Sequence, residues 1–139
     1  KDTIGGHEEF YILAEGDCLG QLELAMPVTE QLLEQYPETD IIMCLNDVAA
    51  MGTMAALKDA GLAGDIAVYG VDGSPDGKSM IEAGFMAATA AQFPREIGRQ
   101  AAEAVYRILE GEPVESVIRI KTELITRDNL ELYGSDGWQ

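Results

Sequence analysis

Histidine, cysteine and basic residues are scarce in this chain, and each scarcity removes a class of function. The one histidine, His7, lies in a polar, Gly-containing N-terminal stretch expected to fray. No Ser/His or Cys/His pair therefore stands where a base could activate a nucleophile. Two cysteines, Cys18 and Cys44, supply neither a metal cluster of the usual spacing nor a disulfide framework. A bond between the two is left open, and Cys44, inside an apolar run, reads as a small buried hydrophobe. Nine basic residues stand against 25 acidic ones, a net charge of −16. Such a surface neither displaces counterions from nucleic acid nor attracts an anionic membrane, so neither is expected as a partner. The acidic residues are scattered, which reads as a solvated surface. No apolar run approaches the roughly 18 residues of a membrane-crossing helix, and no secretory leader is recognisable. No glycine-rich phosphate-cradling loop opens a helix. The expectation is a protein without catalytic residues, metal or cofactor.

What is present is an alternation of apolar runs and amphipathic stretches. With 139 residues, 47% of them hydrophobic, there is room for one domain with a core or one lobe of something larger. The organising stretch is Ile41–Asp47, IIMCLND, followed directly by VAAMGTMAALKDAG. Five apolar residues ending in two short polar ones predict a strand buried on both faces that delivers its last residues to the rim of a sheet. The pattern recurs as IAVYGVDG at Ile66–Gly73 and MAATAAQFP at Met86–Pro94. A further strand is predicted at Phe10–Glu15, and extended segments at Val117–Ile120 and Leu124–Thr126. Helices are predicted over Leu22–Tyr36, with Pro27 either starting or kinking it, behind Asp47 to Gly61, over roughly Gly77–Ala83, and from Pro94 to Gly111. The last carries an apolar stripe, Ile97, Ala101, Val105 and Ile108. The tail Gly134–Gln139 reads as loose. Strand–helix alternation with short connections gives an α/β fold, doubly wound, with a mainly parallel sheet and helices on both faces.

In such a sheet the carboxyl ends of the strands border the ligand crevice. Asn46, Asp72 and Gln92 fall there. Each has a structural explanation: Asn46 or Asp47 as a helix cap, Asp72 in an Asx turn, Gln92 as a surface amide. Together they suit a neutral polyol, because Asn and Gln offer donor and acceptor while Asp accepts from two adjacent hydroxyls.

The pieces LND-x-A-A-x-G, A-L-K-D-A-G-L, V-Y-G-V-D-G-S-P-D-G, I-x-x-G-x-x-x-A-T-x-A-Q-x-P and LITRDNLELY, spread from about Phe10 to Tyr133, resemble the C-terminal lobe of the ribose- and galactose-binding type of ABC-importer sugar-binding proteins. The resemblance implies that Asn46, Asp72 and Gln92 contact sugar hydroxyls in a cleft between two lobes, that the partners are a sugar and a membrane permease, and that the protein is extracytoplasmic. It also implies a division into residues 1–92, a C-terminal lobe lacking its first strand and helix, residues 93–116, a helix packed on the N-terminal lobe, and residues 117–139, a return strand and tail. Two departures stand out. Where the family often places an aromatic for sugar stacking the chain reads Cys18, Leu19, Gly20, and the N-terminal lobe and the arginine that usually precedes this lobe's first strand and helix are absent. The runner-up is the effector-binding portion of a LacI-type repressor, which shares the fold. Such repressors tend to read P-x-L-T-T where this chain has IEAGFMAATAAQ. With one wall only, sugar binding is expected to be millimolar or weaker, of order 4 kcal/mol or less. The stripe of the helix at 94–110 is expected to dock on its own sheet or on a second copy. A homodimer is expected through that helix and the strand edge left open at Ile41–Leu45, a gap that direct pairing with Phe10–Glu15, insertion of Val117–Thr126 or exchange between chains would close.

Overall fold

The computed structural model describes residues 3–139. A four-stranded sheet in the order β1-β2-β3-β4 is built from β1 (Ile41–Met43), β2 (Ala67–Asp72), β3 (Ala88–Ala91) and β4 (Glu123–Thr126). The first three run parallel and β4 closes the far edge antiparallel to β3. Four helices accompany it: α1 (Leu22–Gln35), α2 (Asp47–Asp59), α3 (Pro75–Glu82) and α4 (Pro94–Leu109). The mainly parallel α/β class is as the sequence predicts.

Local chemistry explains the helix boundaries. The Asn46 side chain accepts from the amide of Ala49 and starts α2, and Ser74 accepts from Gly77 and starts α3 with Pro75 behind it. Pro94 opens α4. Proline 27 does not start α1, which begins at Leu22 and runs through it. Helices α1 and α2 pack closely because Gly52 presents no side chain where a Cβ would overlap the Leu22 carbonyl. A buried Thr29–Thr53 hydroxyl pair at 3.1 Å lies in the same contact.

The crossovers β1–α2–β2 and β2–α3–β3 pack both helices against one face of the sheet. That face holds Val68, Ala91 and Ile125, and the core adds Ala50, Met54, Leu57, Ile81, Met86 and Leu130. Within this chain the helical cover is therefore concentrated on one face. The other, with Ile41, Met43 and Leu124, stays largely exposed. Here the structure corrects the expectation that Ile41–Leu45 is buried on both faces: the strand is three residues long, with Ile41 and Met43 outside and Ile42 between them half-buried.

Further expectations are corrected in whole or in part. Phe10–Glu15 forms no strand, and Tyr11 is 82% exposed. β1 is paired with β2, and Phe10–Glu15 joins no strand of the sheet; an extended run outside a ladder is not a strand. Val117–Ile120 is likewise unpaired, and the segment after it joins the sheet at β3, on the side away from β1. The stripe of α4 does not dock on the sheet: no residue of the helix is buried, and Ile97, Val105 and Ile108 are exposed. Side-chain pairs along its own surface support it instead, Arg99 reaching Glu96 and Glu103, each at 2.5 Å. The Arg99 hydrogen bond, then that of Gln100, holds the Glu96 carboxyl down to about 2. Finally, the tail is not loose, for Gly137 and Gln139 are both hydrogen-bonded to the body of the chain.

Candidate functional site

Parallel pairing puts the carboxyl ends of β1, β2 and β3 on one edge, and the three polar residues singled out from sequence follow those ends: Asn46 after β1, Asp72 closing β2, Gln92 just after β3. Asp72 and Gln92 meet directly. Gln92 Nε2 donates to Asp72 Oδ1 at 2.6 Å, and the Gln92 backbone amide donates to the Asp72 carbonyl at 3.0 Å. Among the described residues the Asp72 carboxylate accepts this bond at Oδ1 and none at Oδ2. Asp72 also holds φ at +126°, a region that L-residues rarely adopt and that costs on the order of 1–3 kcal/mol. Asn46 is committed locally. Its Oδ1 accepts from the Ala49 amide at 2.8 Å and its Nδ2 donates to the Gly20 carbonyl at 3.1 Å. One amide hydrogen and one lone pair remain.

Behind this rim lies Asp47, 1% exposed. Its Oδ2 accepts from both the amide and the hydroxyl of Ser74, at 2.8 and 2.7 Å, and its Oδ1 accepts from the Thr89 hydroxyl at 2.6 Å. Thr89 Oγ1 in turn accepts from the Gly73 amide at 3.1 Å. One carboxylate thus ties the start of α2 to the β2–α3 turn and to β3, and through Thr89 it reaches the residue next to Asp72. Gly70 and Gly77 make the space, since a Cβ at either position would overlap the Asp47 carboxylate. Sequence reasoning read Asp47 only as an alternative cap. The signal that could have found it is a second short polar residue at the strand end, matched by glycines at 70 and 77.

Cys18 and Cys44 are both free. Cys44 Sγ lies 3.4 Å from the Thr53 hydroxyl, and burial, the largest cause, pushes its thiol up. No cluster of His, Cys, Asp and Glu fit for a metal occurs among the described residues. No helix among them is long and apolar enough to cross a membrane. Two surface hollows are lined by other residues, one by Gln100, Arg107 and Ile118, the other by Glu82, Arg127 and Leu130.

Comparison with known proteins decides the family, because the description "periplasmic binding protein domain" matches residues 1–113. The chain belongs to the periplasmic binding protein family. Among its relatives, the ribose import binding protein RbsB of Escherichia coli K12 is 35% identical over 127 residues, covering 91% of this chain and 42% of the relative. The D-allose-binding periplasmic protein of the same organism is 43% identical over 74 residues, 53% of this chain and 24% of the relative. Among solved structures, the Caulobacter myo-inositol binding protein bound to myo-inositol superposes with a TM-score of 0.84 at 35% identity, covering 94% of this chain and 46% of that one. An ABC-transporter periplasmic solute-binding protein from Actinobacillus succinogenes 130z, with bound D-allose, gives a TM-score of 0.90 at 26% identity, covering 95% and 47%. This periplasmic-binding-protein chain thus spans somewhat under half the length of the relatives it matches. Of these relatives, RbsB is named an import binding protein and the Actinobacillus protein an ABC-transporter solute-binding protein.

Proposed function

We propose that the chain forms one wall of a sugar or cyclitol site in the solute-binding component of an ABC importer, with Asn46, Asp72 and Gln92 contacting ligand hydroxyls. The observation that carries this reading is the Asp72–Gln92 pair at the joined strand ends, made at one of the two carboxylate oxygens. The carboxylate accepts from adjacent hydroxyls, and the amide both orients it and offers its own Oε1. The named ligands of the relatives, ribose, allose and myo-inositol, are uncharged polyols and fit that chemistry. A net charge of −16 suits an uncharged ligand better than an anionic one. The repressor reading is disfavoured by relatives named as import and periplasmic binding proteins, and the same names support an extracytoplasmic site with a membrane permease as the other partner. The opposing wall comes from sequence outside this chain, as the share of the relatives covered suggests.

The test is calorimetry with D-ribose, D-allose and myo-inositol on this chain and on a protein completed with an opposing lobe. The chain alone is expected to bind at millimolar strength or weaker, about 4 kcal/mol or less. The completed protein is expected to bind one of the three at micromolar strength or better, and Asp72→Ala to lower that affinity at least about 100-fold. Tight binding that survives Asp72→Ala would refute the assignment.

A further inference from the structure

Lys78 and Gln139 form a cluster that direct sugar contact does not use. Lys78, on α3, is fully buried. Its Nζ donates to the Gly137 carbonyl at 2.6 Å and, at 3.4 Å, to the Tyr133 carbonyl and to Gln139 Oε1. All three acceptors are neutral groups of the C-terminal segment. A buried ammonium is tolerated only while its acceptors stay in place, so Lys78 fixes the segment that sequence alone reads as loose. The far end of the same side chain is then directed. Gln139 Nε2 donates to the Asp72 carbonyl at 3.2 Å and also to the Gln92 carbonyl. Gly73 leaves room for it: its φ is +69°, and a Cβ there would lie 2.6 Å from Gln139 Nε2 and 2.7 Å from Ala91 Cβ. One amide nitrogen thus bridges the main chain at the two residues whose side chains form the pair at the rim.

We propose that Gln139, anchored through Lys78, is a positioning residue for the recognition pair. By clamping the Asp72 and Gln92 carbonyls it sets the separation of the two strand ends, and with it the bond between the Asp72 carboxylate and the Gln92 amide. The inference rests on the reading of Asp72 and Gln92 as polyol contacts, but its first test does not need a ligand. In the nitrogen-15-labelled chain the Gln92 side-chain amide is read by NMR. Gln139→Ala is expected to speed its proton exchange about 3- to 10-fold and to move the Gly73 and Phe93 backbone signals, leaving α1 and α2 unchanged. Lys78→Met, which frees the tail while keeping Gln139, is expected to do the same. Should that variant fail to fold, Gln139→Ala decides alone. An unchanged Gln92 amide in Gln139→Ala overturns the proposal.

A titration with myo-inositol adds a readout that a merely structural role would not move. Gln139→Ala is expected to weaken binding about 3- to 10-fold in the parent chain and to have no further effect in a Gln92→Ala background. An equal loss in both backgrounds shows that Gln139 does not act through Gln92 and overturns the proposal. If the parent chain does not respond to myo-inositol, the Gln92 exchange rate alone decides whether Gln139 positions the pair.

Discussion

Asp47 does more to shape the rim than the more exposed polar residues along it. Its carboxylate accepts three hydrogen bonds in a fully enclosed position, two from Ser74 and one from Thr89. Asp47→Ala leaves those donors without a partner in the interior, and the expected loss of stability is about 3 kcal/mol, read from urea unfolding. A loss below about 1 kcal/mol would show that water replaces the carboxylate without cost. Lys78 gives a second residue-scale expectation, this time in pH. Burial, partly opposed by Asp136, lowers its ammonium below the ordinary 10.5. The unfolded state therefore holds its proton to higher pH than the folded one. The destabilisation is present in full below the folded-state value and is relieved as pH rises through that value towards 10.5. As pH rises towards 10.5 the parent chain should gain stability relative to Lys78→Met; parallel curves for the two proteins would contradict this. Neither residue's role was legible in the sequence. A carboxylate beside a helix cap and a lysine on a helix look alike whether they point in or out, and only the glycines at 70 and 77 hint at what Asp47 needs.

Elements with local stop and start signals were read well, and those that depend on a distant partner were not. Asn46, Ser74 and Pro94 mark helix starts by their own chemistry, and the apolar run before Asp72 is a strand as expected. Phe10–Glu15 has the composition of a strand, but composition does not supply a ladder to join, and the segment is not among the strands of the sheet. Helix α4 repeats the lesson in a different form. Its stripe is legible in the sequence, but its exposure is not, because periodicity does not say what lies opposite an apolar face. Replacing Val105 and Ile108 by Ser together should therefore change the unfolding free energy of the chain by no more than about 0.5 kcal/mol. The same pair of changes should weaken self-association, measured by sedimentation, if the stripe and the open face of β1 meet a second copy. A large loss of stability in the monomer would mean that α4 packs on its own chain after all.

At the scale of the whole molecule, three parallel strands bring their carboxyl ends to one edge, and a buried carboxylate, a strained Asp72 and a tethered tail stiffen that edge into a wall. The positions of Asn46, Asp72 and Gln92 could be read from sequence because each follows an apolar run, and parallel pairing aligns such ends automatically. The stiffening behind them could not, since it joins residues up to 67 positions apart, as in the bond from Gln139 to Asp72. The central claim is that this edge meets a polyol through Asp72 and Gln92. It is tested most directly by NMR titration of the labelled chain with D-ribose, D-allose and myo-inositol to about 100 mM, well above the millimolar dissociation constants expected of a one-walled site. The account predicts that one of the three shifts the signals of Asn46, Asp72, Gly73 and the Gln92 side chain with a common dissociation constant, and that Asp72→Ala removes those shifts. Shifts confined to other surfaces, or a response at the rim that persists without the Asp72 carboxylate, would contradict it.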